Sequence, residues 1–197
     1  MRGKTKTGLE DVVATTSGIC YMDGRRGVLS YRGYDIHDLV ANATFEEVCF
    51  LLWHARLPSR AELGDMKSDM VSARTLPESI LRMIRFLPPD NGMATLRTVT
   101  SALSHFDPDS DNSSSEANLR KAIRLTSQIG SLVATHARLV SGGTPVDPDP
   151  ALGHAANFLY MLTGERPTPK ATKALDIALV LHADHELNAS TFAARVA

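Results

Sequence analysis

Thr44-Phe45-Glu46-Glu47, Ser59-Arg60-Ala61-Glu62 and Thr75-Leu76-Pro77-Glu78 repeat one pattern within residues 44–78. A hydroxyl residue followed three places later by glutamate is a capping box. The hydroxyl accepts an otherwise unpaired N–H of the first helical turn, and the glutamate reaches back to the cap. Apolar residues follow each box at helical spacing: Phe45, Val48, Cys49 and Leu52, then Leu63, Met66 and Met70, then Ile80, Leu81, Ile84 and Leu87. Leu57-Pro58 and Pro88-Pro89 stop the first and third runs. This stretch commits the middle of the chain to short amphipathic helices.

Working outward, the N-terminal side is extended. Ile19-Cys20-Tyr21-Met22 and Val28-Leu29-Ser30-Tyr31 flank Asp23-Gly24-Arg25-Arg26-Gly27, which reads as a β-hairpin. Arg32-Gly33-Tyr34-Asp35 then opens a helix with Asp35 as its N-cap. On the C-terminal side the pattern stays helical. A helix is predicted over 93–106, with Leu96, Val99 and Leu103 on one face. Residues 107–115 read as an exposed, mobile polar loop. A long helix follows over 116–140, with Ala122, Ile129, Val133 and His136 near its apolar stripe, closed by Gly142-Gly143. Another spans 152–162 and ends at Gly164. Thr168 reads as an N-cap with Pro169 at the first helical position. From there a last helix is predicted to run to about Glu186, with Leu175, Ala178, Leu179, His182 and His185 along one side. The fold class is therefore mostly α, multi-helical, with a small N-terminal β-hairpin.

Composition narrows the function. A formal net charge of −1 leaves no electrostatic footprint for nucleic acid. No apolar run of about 18 residues offers a membrane span. Met1-Arg2-Gly3-Lys4-Thr5-Lys6-Thr7 is basic but lacks the apolar core of a secretory signal. Cys20 and Cys49 fall in different elements and read as buried small hydrophobes in a reducing compartment, the cytoplasm.

The chemistry concentrates in Leu181-His182-Ala183-Asp184-His185-Glu186-Leu187-Asn188-Ala189-Ser190-Thr191-Phe192. Two histidines three apart share a helix face. Three readings stay open from residue types alone. The rings are satisfied histidines at a helix end; or they hold a metal, although zinc wants a third protein ligand and none is obvious; or, with the amide and hydroxyls, they bind an anionic small molecule through its carboxylate oxygens. His37, His54, His105, His136 and His154 stand alone and read as structural. No GxSxG, phosphate-binding P-loop or dinucleotide-binding fingerprint is present.

At this point the chain resembles the citrate synthases, specifically the bacterial and archaeal type that includes 2-methylcitrate synthases. The resemblance rests on Gly8-Leu9-Glu10, Gly27-Val28-Leu29-Ser30-Tyr31-Arg32-Gly33-Tyr34-Asp35-Ile36 and Phe45-Glu46-Glu47-Val48. It continues through Leu96-Arg97-Thr98-Val99-Thr100-Ser101-Ala102-Leu103 and Asn157-Phe158-Leu159-Tyr160-Met161-Leu162-Thr163-Gly164. His182-Ala183-Asp184-His185-Glu186-Leu187-Asn188-Ala189-Ser190-Thr191 completes it.

The resemblance implies a homodimeric acyltransferase of the tricarboxylic acid cycle that condenses acetyl-CoA, as co-substrate, with oxaloacetate to give citrate and CoA, with no bound cofactor. It places oxaloacetate on His185, with Asn188 and Ser190 at the active site. His182 takes a less direct part, packing and orienting the helix end. The family's enolising Asp, its two catalytic histidines and its carboxylate-clamping arginines fall beyond residue 197, so no catalytic residue is expected in this chain. Residues 1–197 are then the incomplete N-terminal part of the large helical domain, with 8–34 the segment holding the hairpin, and the small domain and C-terminal catalytic region absent. Alone, the chain is expected to be inactive. The alternatives are a 2-methylcitrate synthase using propionyl-CoA, and a natural short non-catalytic subunit that pairs with a citrate synthase chain.

Overall fold

The computed structural model describes residues 17–184, 186, 187 and 189–196. The part of the 8–34 segment before residue 17, including Gly8-Leu9-Glu10, lies outside the described residues, as do His185 and Asn188.

The hairpin forms, and a third strand extends it. β1 (Cys20–Asp23) pairs antiparallel with β2 (Val28–Tyr31), with Cys20 opposite Tyr31 and Asp23 opposite Val28. The connecting turn is held by the Asp23 carboxylate, which accepts the backbone N–H groups of Arg25 and Arg26. β2 then pairs with β3 (Tyr34–Asp35) through a two-residue loop, Arg32-Gly33, both at positive φ (50° and 88°). Two left-handed residues in sequence make the type I′ turn that matches the twist of paired strands. Tyr31 thus sits on the central strand.

Helices follow. α1 (Ile36–Asn42) is capped by Asp35, whose carboxylate accepts the His37 N–H. α2 (Phe45–His54) and α3 (Arg60–Ala73) both carry the complete capping boxes expected of Thr44/Glu47 and Ser59/Glu62. The third box does not form. α4 (Glu78–Phe86) is capped by Pro77 with no side-chain cap bond. A residue preceding proline is driven out of the helical region, so the helix cannot start at Leu76, and Thr75 stands too far upstream to cap it. Leu76 is instead buried with Ile80, Ile84, Val99, Leu103 and Leu132.

α5 (Gly92–Leu103), capped by Asn91, ends in a short 3-10 turn at Ser104–Phe106. The polar loop after it is anchored rather than mobile: Asp107 and Asp109 are pinned by Arg124, and Asp109 also by Arg120. α6 (Ser115–Val140) buries a different face from the one expected. Ser127, Ser131, Leu132, Ala134 and Thr135 are inward, whereas Val133 is 38% exposed and Ala122, Ile129 and His136 are half-buried. Small residues let α7 (His154–Thr163) pack closely, with the Ser131 hydroxyl 3.6 Å from Met161 Sδ. The Ser127 hydroxyl is buried without penalty because it donates to the Ile123 carbonyl one turn back.

α7 stops at Gly164, a left-handed cap at φ 84°. α8 (Pro169–Leu181) starts as read, with Thr168 capping and proline at the first position. It ends at Leu181 rather than near Glu186, and α9 (Ala189–Val196) follows. A second core joins Tyr31, Leu39, Val48, Leu51, Met70 and Val180, locking the small sheet against α2, α3 and the end of α8. Both cysteines are buried and free.

Candidate functional site

The end of α8 is decided by three groups competing for its last carbonyls. The C-cap is His182 (φ −109°, ψ 8°), whose N–H reaches the carbonyls of Ala178 and Leu179. Its Nδ1 lies 2.7 Å from the Ala178 carbonyl, and a carbonyl can only accept, so Nδ1 carries the proton. The Tyr31 hydroxyl takes the third position, donating toward the carbonyls of Leu181 (3.2 Å) and Asp184 (3.0 Å). Helix-end carbonyls satisfied in this way need no further turn. His182 is therefore an exposed cap and does not lie on the α8 stripe with Leu175 and Leu179 as expected.

Beyond the cap the chain turns sharply. The Asp184 carboxylate accepts the Glu186 N–H at 2.9 Å, and Glu186 sits in the left-handed region at φ 68°. A non-glycine residue held there costs roughly 1–3 kcal/mol and collects at ligand-binding turns. The turn opens onto a cavity of about 460 Å³ that includes Ser17, His182, Asp184, Glu186, Thr191 and Arg195 in its lining. With Nδ1 committed to Ala178, Nε2 is the ring nitrogen of His182 left for a ligand. Arg195, on α9, shares this lining.

Of the four expected site residues, the structure puts His182 on this cavity. Ser190 is exposed on α9 and is not part of the lining. His185 and Asn188 lie outside the described residues. Thr191 is one of the hydroxyls of the expected segment, whereas Arg195 was not anticipated. The signal was present, since two residues four apart share a helix face, but no helix had been assigned to 189–196.

The surroundings hold neutral groups neutral. Burial first, then the charge of Asp184, pushes the Cys20 thiol up to about 11, so it stays protonated beside the turn. Burial likewise raises the Tyr31 phenol, which remains a donor. Among the described residues, no three His, Cys, Asp or Glu side chains gather as a metal site.

Two further cavities lie along α6 and share Val133. One, of about 410 Å³, is walled by Ile84, Met93, Leu96 and Val99; the other, of about 470 Å³, by Phe45, Ile129, Phe158 and Leu179. Both are apolar, and Met93 beside the first is 74% exposed.

With this geometry in hand, comparison with known proteins is decisive for the family. The family profile described as "Citrate synthase, C-terminal domain" matches residues 8–197. A citrate synthase of Haloferax volcanii is 45% identical over 201 residues, covering 100% of this chain and 53% of that one. A 2-methylcitrate synthase of Mycobacterium tuberculosis is 39% identical over 196 residues, covering 99% and 49% respectively. Among solved structures, the citrate synthase of Pyrobaculum aerophilum superposes with a TM-score of 0.90 at 38% identity, over 95% of this chain and 49% of that one. The Thermoplasma acidophilum enzyme, solved as a ternary complex with carboxymethyl coenzyme A and oxaloacetate, gives 0.87 at 25% identity, over 96% and 51%. The chain spans about half the length of these relatives. A mostly helical fold, a three-stranded leading sheet and a histidine-capped helix opening onto a polar cavity thus agree with the sequence matches, and the chain belongs to the citrate synthase family.

Proposed function

We propose that this chain supplies the oxaloacetate-binding turn of an enzyme that condenses acetyl-CoA with oxaloacetate to give citrate and CoA. The observation that carries the reading is the cavity beyond α8, whose lining brings His182, with its Nδ1 already bonded, together with Arg195. Oxaloacetate presents two carboxylates and a ketone. A guanidinium suits a carboxylate through two parallel N–H bonds. Because Nδ1 is already donating, His182 gives a second hydrogen bond only when Nε2 is protonated too, and it then meets a carboxylate as a cation.

In the condensation, the acetyl methyl loses a proton and its carbon bonds to the ketone carbon, while the ketone oxygen takes a proton. Water then cleaves the thioester and CoA departs. Donors aimed at the ketone oxygen stabilise the charge that develops there. The acid–base residues for these steps belong, by the resemblance, beyond residue 197, and the 197 residues alone should release no CoA. Acetyl-CoA acts as co-substrate, with no other cofactor called for.

The alternative acyl donor is that of a 2-methylcitrate synthase, a class to which the identity is 39%, against 45% to a citrate synthase. Propionyl-CoA would use the same oxaloacetate turn. The apolar cavities along α6, with Val133 exposed where they meet and Met93 of α5 exposed beside the first, support pairing of two copies through this face. No helix among the described residues is long and apolar enough to cross a membrane. Two free buried thiols suit the reducing cytoplasm, the compartment we propose.

The test is oxaloacetate binding by calorimetry to the parent chain, His182→Ala and Arg195→Ala, with a loss in each of about tenfold, as for one charge-assisted hydrogen bond. Unchanged affinity in both variants would remove the cavity from the reading. CoA release by the protein purified from its source cells, with acetyl-CoA and propionyl-CoA offered in turn at saturating oxaloacetate, decides the donor.

A further inference from the structure

Tyr31 is fully buried in the middle strand of the sheet, yet its hydroxyl is spent entirely on a segment 150 residues later. Its one proton is shared between the Leu181 and Asp184 carbonyls, and its oxygen accepts the Asp184 N–H at 3.4 Å. Those two residues bracket His182 and Ala183. One oxygen therefore clamps both ends of the segment that carries the cavity's histidine. The aromatic ring belongs to the core shared with Leu51 and Val180, so the clamp is mounted on a rigid base. Directly after it come the Asp184 turn and the left-handed Glu186. Strain of that kind persists only where neighbouring contacts over-determine the backbone, and the Tyr31 hydroxyl, with one proton shared between two carbonyls and one accepted N–H, fixes the residues just before it.

We propose that Tyr31 is a positioning residue: its hydroxyl sets the geometry of the 181–184 turn and so holds His182 in place for an anionic ligand. The proposal rests on the oxaloacetate reading of the cavity. Tyr31 itself lines no part of that cavity. Its effect is pre-organisation, which lowers the ordering cost that binding would otherwise carry.

The experiment compares the parent chain, Tyr31→Phe and a chain with p-aminophenylalanine at position 31. Phenylalanine keeps the ring and its packing and removes only the hydroxyl; the amino group restores a donor at the same place. Two quantities are read, amide hydrogen exchange residue by residue and oxaloacetate affinity by titration. In Tyr31→Phe, exchange at His182, Ala183 and Asp184 should rise about tenfold or more while the β1–β2 amides keep their protection. Oxaloacetate affinity should fall about fivefold to tenfold, and p-aminophenylalanine should recover most of it. Unchanged exchange at 182–184 overturns the proposal. So does a uniform rise across the chain, which would make Tyr31 a core residue and nothing more, and so does a local rise with unaltered affinity. Should the parent chain take up no oxaloacetate, the oxaloacetate reading is what fails. The local exchange contrast then still decides whether Tyr31 sets the turn.

Discussion

The Glu46 carboxylate, in the first turn of α2, accepts the backbone N–H of His154, the first residue of α7, at 2.9 Å across 108 residues of sequence. α7 needs this, because its N-cap is Gly153 and no side chain of its own segment caps it. The same device recurs one step away: Asp176 on α8 accepts the Phe45 N–H of α2, also at 2.9 Å. Carboxylates thus link α8 to α2 and α2 to α7 through helix N-termini, where the partial positive charge of the helix favours them. Arg74, buried beside Glu46, donates to the Leu152 carbonyl at 2.7 Å and helps balance the charge. Glu46→Gln keeps an acceptor and should cost ~1 kcal/mol. Glu46→Ala strips the cap and removes the larger of the two counter-charges acting on Arg74, Asp149 being the other, at ~3 kcal/mol. Urea unfolding measures both, and equal losses would mean that the bond to His154 contributes nothing.

The imidazole of His154 gives the protein an acid limit of its own. The ring lies 5.1 Å from that of Phe45, and burial, reinforced by Arg74 and opposed by Glu46, lowers its pKa to about 4. A histidine in the unfolded chain titrates near 6.5. Above that pH both states are neutral and stability is full. As pH falls from 6.5 toward 4, the unfolded chain gains a proton that the fold refuses, and stability drops by up to ~3 kcal/mol. Asp109, held well below the usual carboxylate range by Arg120 and Arg124, acts in a separate window, since its contribution is lost only as pH falls below about 4. His154→Phe should flatten the unfolding free energy between pH 6.5 and 4 and leave the steeper fall below it. A parent profile already flat in that interval would refute the assignment.

How much of this was readable beforehand depends on how local each determinant is. The caps at Asp35, Thr44, Ser59 and Thr168 involve residues two or three apart, and all four formed. The failed cap at Thr75 is also local, and Pro77 was the clue. The end of α8 was not readable, because it is settled by a tyrosine 150 residues earlier. The buried face of α6 was misread for a related reason. Hydrophobicity marks Ile129 and Val133, whereas the close approach of α7 selects Ser127, Ser131 and Thr135. Of the site, residue types singled out the segment 181–192, and His182 lines a cavity there. Arg195 escaped notice because the turn that brings α9 back is made by backbone at Glu186, a position where no glycine advertises a left-handed conformation.

The loop after α5 is held by two guanidiniums, and of these Arg124 alone bridges both aspartates. Arg124 reaches Asp107 at 2.6 Å and Asp109 at 2.6 Å, and Asp109 is only 8% exposed. Arg124→Ala should cost ~2 kcal/mol, the value of charge-assisted bonds at a partly buried site. Cleavage by added protease should then appear within 107–114, where the parent resists. Arg124→Lys should rescue little, since an ammonium cannot span two carboxylates as a planar fork does. Equal protease resistance in all three proteins would show that the loop is held by its backbone turns alone.

Arg32 tests whether a strained residue can be worth its strain. At φ 50° it occupies the first position of a type I′ turn, where asparagine or glycine is at ease. What retains arginine is its reach: one guanidinium nitrogen donates to the Leu52 carbonyl at 2.8 Å and another to the Gly18 carbonyl at 3.2 Å. Leu52 lies on α2 and Gly18 just before β1, so the side chain ties the sheet to the helix it packs on. Arg32→Asn relieves roughly 1 kcal/mol of backbone strain and loses two charge-assisted bonds of ~1.5 kcal/mol or more each. The balance predicts a less stable protein, by ~2 kcal/mol. Because Tyr31 is its immediate neighbour, loosening the sheet should also loosen the 181–184 turn. Thermal unfolding gives the first effect and amide exchange at Ala183 the second. An Arg32→Asn protein more stable than the parent would mean that the turn, and not the tether, dominates at this position.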